Sequence, residues 1–324
     1  MMINRRRFLS TAAGAAAGAL LGTRRAGAAS ADAGVMFTLN VQDFTYPDLT
    51  AQILTAALNL HESLGVPLDI SLTTWMVDLL QQAPDIARRL VTSPMVCLNY
   101  HTRPPQPYHV SYDWAGLSAL TFTEQYDIIR NYETHGLNMT TGQPDARPGS
   151  YQYYGQLIGY APRTVGDLAE NSVQAAADTV FRDLGARMCV VHGRATNLGD
   201  SRNGLWTRPE HVDFKLFEYV GQDPRPLLDT AFVTARATRD ARAPFIVGVK
   251  MHDNDFFAQD SAWITVYQQG RRTPPWDTSR QSPRIPWETT LAMWSLWDSL
   301  VRYVAAQQIA VVNSAGVLRM LPAR

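Results

Sequence analysis

Three of the seven histidines sit at the exits of apolar, strand-like runs. Val96-Cys97-Leu98-Asn99-Tyr100 leads into His101, and Met188-Cys189-Val190-Val191 into His192. Phe245-Ile246-Val247-Gly248-Val249-Lys250-Met251 leads into His252, and a fourth run, residues 35–41, ends two residues before Asp43. Where parallel strands curl into a barrel, their C-terminal ends share one face, and that face carries the active site. Imidazoles and a carboxylate delivered there are what a metal-assisted hydrolase needs. A divalent ion held by them lowers the pKa of bound water to about 7 and polarises a carbonyl. His252 is then a candidate acid, with Asp253 or Asp255 holding its tautomer. The competing readings are plain ones. His192 serves equally well as a ligand, a substrate contact or a structural histidine. Asp43 can bind loop amides alone, and His252-Asp253-Asn254-Asp255 can cap a turn or bind an ion itself.

The elements that must position these groups alternate. Strands are expected at 35–41, 68–72, 95–100, 151–160, 187–191, 245–251 and 309–313, with helices at 49–64, 75–92, 121–134, 167–184, 226–242 and 287–307. Gly65 fits a helix C′ position and Thr121 with Glu124 a capping box. Residues 136–148 and 193–208 read as loops, and no repeat or internal boundary is evident. Such alternation means a parallel sheet under helical cover, here a single α/β domain, a distorted (β/α)7-type parallel barrel over residues 32–324.

Residues 1–31 read as a targeting segment. Arg5-Arg6-Arg7-Phe8-Leu9 fits a twin-arginine pattern, an Ala/Gly-rich run follows, and cleavage suits Ala28 or Ala31. Periplasmic or secreted localisation is expected. Removing the segment takes away five arginines and no acids, so the 29 acidic residues outnumber the remaining basic ones. A mildly acidic protein is not expected to bind nucleic acid. No run is long and apolar enough for stable membrane insertion. The two cysteines, Cys97 and Cys189, fall within expected strands and read as buried thiols. Cys97 lies about 13 Å along a strand from His101, too far to share an ion.

Taken in order, these segments resemble the polysaccharide deacetylase (NodB-homology) superfamily over most of residues 35–321. The phrase Leu39-Asn40-Val41-Gln42-Asp43-Phe44 is similar to the family's first strand, which ends in two aspartates, a base and a metal ligand. Leu64-Gly65-Val66-Pro67-Leu68-Asp69-Ile70-Ser71-Leu72 resembles its second strand, His101-Thr102 its metal-binding His-Ser/Thr pair, and Val247–Asp253 its catalytic-histidine strand. The resemblance implies a metal-dependent carbohydrate deacetylase, with Asp43, His101 and His109 around a divalent ion, zinc by preference. His252, Asp253 and Asp255 then carry the proton chemistry. Gln42 stands where the base aspartate would be, and His109 comes eight residues after His101 rather than one turn.

Gln42, Arg103, His192, Arg194 and Trp206 are the expected substrate contacts, in a cleft suited to a carbohydrate. Aromatic rings in the expected loops, among them Tyr108, Trp114, Tyr151, Tyr153, Tyr154, Trp263 and Trp276, suit sugar faces or plain packing. Arg271, Arg272, Arg280 and Arg284 suit an acidic glycan or a solvated surface. Two other functions are compatible with the same barrel. One is glycoside cleavage by paired carboxylates such as Asp43 with Asp253 or Asp255. The other is glycan binding without catalysis, to which Gln42 points.

Overall fold

A computed structural model describes residues 33–109, 112–166, 172–239 and 244–322. The expected twin-arginine segment, with its expected cleavage sites, lies outside them. Asp32–Arg324 forms one compact unit. The chain begins with β1 (Ala33–Val41), α1 (Pro47–Leu64), β2 (Leu68–Thr73), α2 (Thr74–Gln82), α3 (Pro84–Thr92) and β3 (Val96–His101). Next come α4 (Phe122–Thr134), β4 (His135–Leu137), β5 (Pro144–Pro148), α5 (Ser150–Ile158), β6 (Thr164–Gly166), α6 (Gln174–Asp183) and β7 (Met188–Cys189). The remainder is β8 (Ser201–Arg202), β9 (Leu205–Thr207), β10 (Val212–Lys215), α7 (Pro224–Thr238), β11 (Phe245–His252), α8 (Trp287–Ala306) and α9 (Ser314–Met320). The main sheet runs β10-β11-β1-β2-β3-β6-β7-β9-β8 and is parallel except at the β8–β9 edge. It curls into a half-barrel, the distorted α/β barrel expected.

Strand register sorts the side chains. Thr38 pairs with Lys250 and Asn40 with His252 on one side of β1, and with Asp69 and Ser71 on the other. Asp69, Ser71 and Thr73 pair in turn with Cys97, Asn99 and His101. Successive residues of a strand point to opposite faces, so these polar groups fall on one face of the sheet. The intervening Phe37, Leu39, Ile70, Leu72, Leu98, Val247 and Val249 fall on the other and join the main core beneath the helices. There Trp297 of α8 stacks edge-on to Phe37 at 5.5 Å, and His61 lies 5.4 Å from Phe37. A second apolar cluster, Met36, Met188, Trp206, Ile246 and Val317, packs against Leu318 of α9. Ser314, at the start of α9, donates to Asp69 through its amide (3.0 Å) and hydroxyl (2.7 Å).

Several expected elements need correction. Residues 151–160 are not a strand. Tyr151, Tyr154 and Ile158 are buried at helical spacing on α5, so aromatic content misled the period. The expected helix 75–92 is two helices meeting at Ala83, because Pro84 has no N–H to continue the ladder. Residues 136–148 fold largely into the β4–β5 hairpin, and β9 and β10 lie where no strand was expected. Residues 309–313 make one isolated bridge, Val35 to Val311. His61 is fully buried with Nδ1 3.1 Å from the Val66 carbonyl, and burial holds its pKa down at about 4.

The capping box is present as expected. Thr121 accepts from the Glu124 amide, and the Glu124 carboxylate accepts from the Thr121 amide at 2.9 Å. Thr121→Ala should cost about 1 kcal/mol, read as a melting temperature lowered by roughly 2–4 °C. An unchanged melting temperature would mean that neighbouring packing, not the cap, fixes the start of α4.

Candidate functional site

At the C-terminal ends of the strands lies a cleft of about 870 Å³. Asn40, Lys250 and His252 reach it from β1 and β11, Asp213 and Lys215 from β10, and Arg103 and His109 from the loop after β3. His192 and Arg194 line it from the loop after β7, and Trp263 and Phe217 supply aromatic walls. Trp206 does not: it belongs to the apolar cluster against α9.

Gln42, Asp43 and Asp253 lie beneath this surface, where the exits of β1 and β11 are tied together. Asp253 accepts from the Gln42 amide (3.0 Å), the Asp43 amide (3.1 Å) and the Thr50 hydroxyl (2.7 Å). Asp43 Oδ1 accepts from the Thr45 amide at 3.0 Å and its hydroxyl at 2.6 Å. Both carboxyls are fully buried. Burial and then the nearby Asp43 charge push Asp253 up to about 7, while the three donors resist. Asp43 is raised by burial too, against the Thr45 hydrogen bonds. Asp253, expected to be catalytic, therefore works as a staple between two strand ends, with no face toward the cleft.

Above the staple, Arg103 spans the residues expected to do the chemistry. Its Nε donates to Gln42 Oε1 at 2.9 Å, and the Gln42 amide nitrogen donates to Asn254 Oδ1 at 2.9 Å. Arg103 Nη1 lies 3.1 Å from His109 Nε2. A guanidinium has no acceptor, so the imidazole must accept there, and that lone pair is no longer available to an ion. The guanidinium also lies 5.2 Å over the Trp263 ring. His101 is buried and paired with Gly166, whose missing side chain leaves room for the imidazole: a Cβ there would sit 3.2 Å from His101 Nδ1. Among the described residues no three His, Cys, Asp or Glu side chains gather as a metal site requires. Asp43, His101 and His109 do not come together as one ligand group in this arrangement, although Asp43 Oδ2 is buried with no hydrogen-bond partner among the described residues.

On the facing wall, His252 Nδ1 lies 3.1 Å from Asp255 Oδ2, which also accepts the His252 amide at 2.7 Å. Phe217 packs 4.9 Å from the imidazole. Lys250 is buried on the cleft floor and pairs with Asp213 at 2.9 Å. Glu210 and Arg208 pair at 2.6 Å nearby, Arg208 also reaching Thr38 at 3.3 Å. Gly248 makes space for that pair, since a Cβ would sit 2.3 Å from Glu210 Oε2. His211 accepts the Ile246 amide on Nδ1 (3.0 Å), so its Nε2 carries the proton toward Asn197 Oδ1 (3.1 Å).

Asn40, Lys250 and Asp213 were not singled out in the sequence. The signal was there in the alternation: Lys250 and His252 are the polar residues of an otherwise apolar strand, two apart and so on one face. Of the aromatic residues expected in loops, Trp263 lines the cleft, whereas Tyr108, Tyr151 and Tyr154 are fully buried and Trp114 packs on Trp276 at 5.2 Å. Arg272 and Arg284 lie over Tyr112 and Tyr46, away from the cleft. Both cysteines are free and buried, as expected.

No family model matches the chain, and no curated protein matches it. Among solved structures it is similar to a CE4 family pseudoenzyme from Bacillus anthracis, at 13% identity and a TM-score of 0.41, covering 88% of this chain and 65% of that one. A mutant of that pseudoenzyme with restored enzymatic activity matches at the same identity and TM-score, with 67% of its chain covered. The YdjI aldolase from Escherichia coli K12 follows at 12% identity and a TM-score of 0.25, covering 85% of this chain and 90% of that one.

Proposed function

We propose that this protein binds a carbohydrate in the cleft between Trp263 and Phe217, on a deacetylase-like barrel in which the metal and base of deacetylation have been replaced. The observation that carries this reading is the Arg103 bridge. It donates to a glutamine where a base carboxylate is required and engages the acceptor nitrogen of His109. A permanent cation at that position opposes a divalent ion through like-charge repulsion. Aromatic faces with many hydrogen-bonding groups around them suit sugar rings. The twin-arginine pattern supports action in the periplasm or outside the cell. Glycoside cleavage is less well supported. The cleft carboxylates Glu210 and Asp213 are each paired with a cation, and Asp43 and Asp253 are buried.

The test is elemental analysis of the purified mature protein, with acetate release and equilibrium binding measured over a glycan panel. Substoichiometric metal, no acetate and saturable binding are expected. One equivalent of metal together with acetate release would overturn the reading in favour of metal-dependent deacetylation. The His252–Asp255 pair favours a second reading, acid–base hydrolysis without metal. Turnover on the panel that disappears in His252→Ala would establish it.

A further inference from the structure

We propose that the sugar held in this cleft is acidic, a uronic acid whose carboxylate sits against Lys250 and Arg194. The inference rests on the carbohydrate reading above. Its basis is the charge left over once the cleft's own pairs are made. Glu210 is neutralised by Arg208 just beneath it. Leaving Arg103 to its bridge, Lys250, Lys215 and Arg194 then face Asp213 as the single remaining carboxylate of the lining.

Asp213 engages one donor of the Lys250 ammonium, which carries three. The Lys250 side chain is only 8% exposed, so few waters reach the other two donors. Arg194 makes no ion pair among the described residues and stands exposed at the rim. Lys215 lies 3.8 Å from Glu218, with both side chains about half exposed, a pairing that solvent weakens. Asn40, beside His252 in register, lines the floor with a side-chain amide that makes no hydrogen bond among the described residues. A carboxylate entering here would meet a partly desolvated ammonium, a bidentate guanidinium and an amide donor. Charge-assisted bonds of that kind are the strong ones. The aromatic walls, Trp263 and Phe217, would take the ring that carries it.

Binding of D-glucuronate, D-galacturonate and D-mannuronate should be compared with D-glucose, D-galactose and D-mannose by calorimetry and ligand-observed NMR, with acetate as the bare anion. At least one acid should bind about tenfold more tightly than its neutral partner, and added salt should shrink that preference. Arg194→Gln, at an exposed position, should reduce the preference. Lys250→Met should reduce it further, and Lys250→Arg should retain it. If the neutral sugars bind as tightly as the acids, the acidic-sugar assignment fails while the carbohydrate reading stands. If neither set binds, both fail. Acetate binding as tight as that of the acids would show a simple anion site and overturn the proposal.

Discussion

Glu210→Ala should lower the stability of the protein by about 3–5 kcal/mol, because it leaves a buried guanidinium without its counter-charge. Arg208 is 2% exposed and its Nη2 sits 2.6 Å from Glu210 Oε2. Its Nε has no hydrogen-bond partner among the described residues, so the carboxylate carries most of the compensation. Asp69 contributes a further attraction from below. A denaturation midpoint lowered by roughly 10 °C is the expected readout. The double variant Arg208→Met with Glu210→Leu should recover most of the loss, since apolar replacements of a buried pair are often neutral. Equal melting temperatures for Glu210→Ala and the unmodified protein would show that Arg208 finds another partner or reaches water.

Glu133 should make stability fall as the pH rises from about 4.5 to 7. It is fully buried at the end of α4 and accepts from the hydroxyls of Tyr100 and Tyr108 and from the Tyr151 amide. Burial pushes its pKa from 4.5 up to about 7, against those hydrogen bonds. A folded-state pKa above the unfolded one means that the folded protein binds the proton more tightly. The stabilisation is therefore complete below pH 4.5 and lost as the pH rises through 7, with a full swing of about 3 kcal/mol. Asp253, also at about 7, adds to the same trend. His61, held down at about 4, works in the opposite direction, removing stability below about pH 6.5. Stability against denaturant should therefore be measured between pH 5 and 8 for the unmodified protein and Glu133→Gln. The variant should show the flatter profile. Parallel profiles would mean that Glu133 ionises in the folded protein as freely as in water.

Much of this was legible in the chain. The apolar runs of β1, β2, β3 and β11 and the ligand-type residues at their exits follow from strand period and length, and so does the Gly65 cap, whose φ is 64°. The short strands were not legible. β6, β7 and β9 hold two or three residues each, too few to show any period. The site was half readable. His109, His192, Arg194 and His252 do line the cleft. The Arg103 bridge depends on a loop folding back over β1, a tertiary contact between residues 61 apart. The inward burial of Asp253 likewise depends on amides 210 and 211 positions away. No local pattern records either one.

The two-faced sheet also proofreads its own assembly. A shift of one residue between β1 and β11 would turn Lys250 and His252 toward the helices and drop Val249 and Met251 into the cleft. Most parallel strands, buried in apolar surroundings on both sides, would feel such a slip mainly as poorer packing. Here it would strand an ammonium in a hydrocarbon layer, at a cost of several kcal/mol. The charges that a ligand would meet thus also penalise misaligned pairings of the sheet.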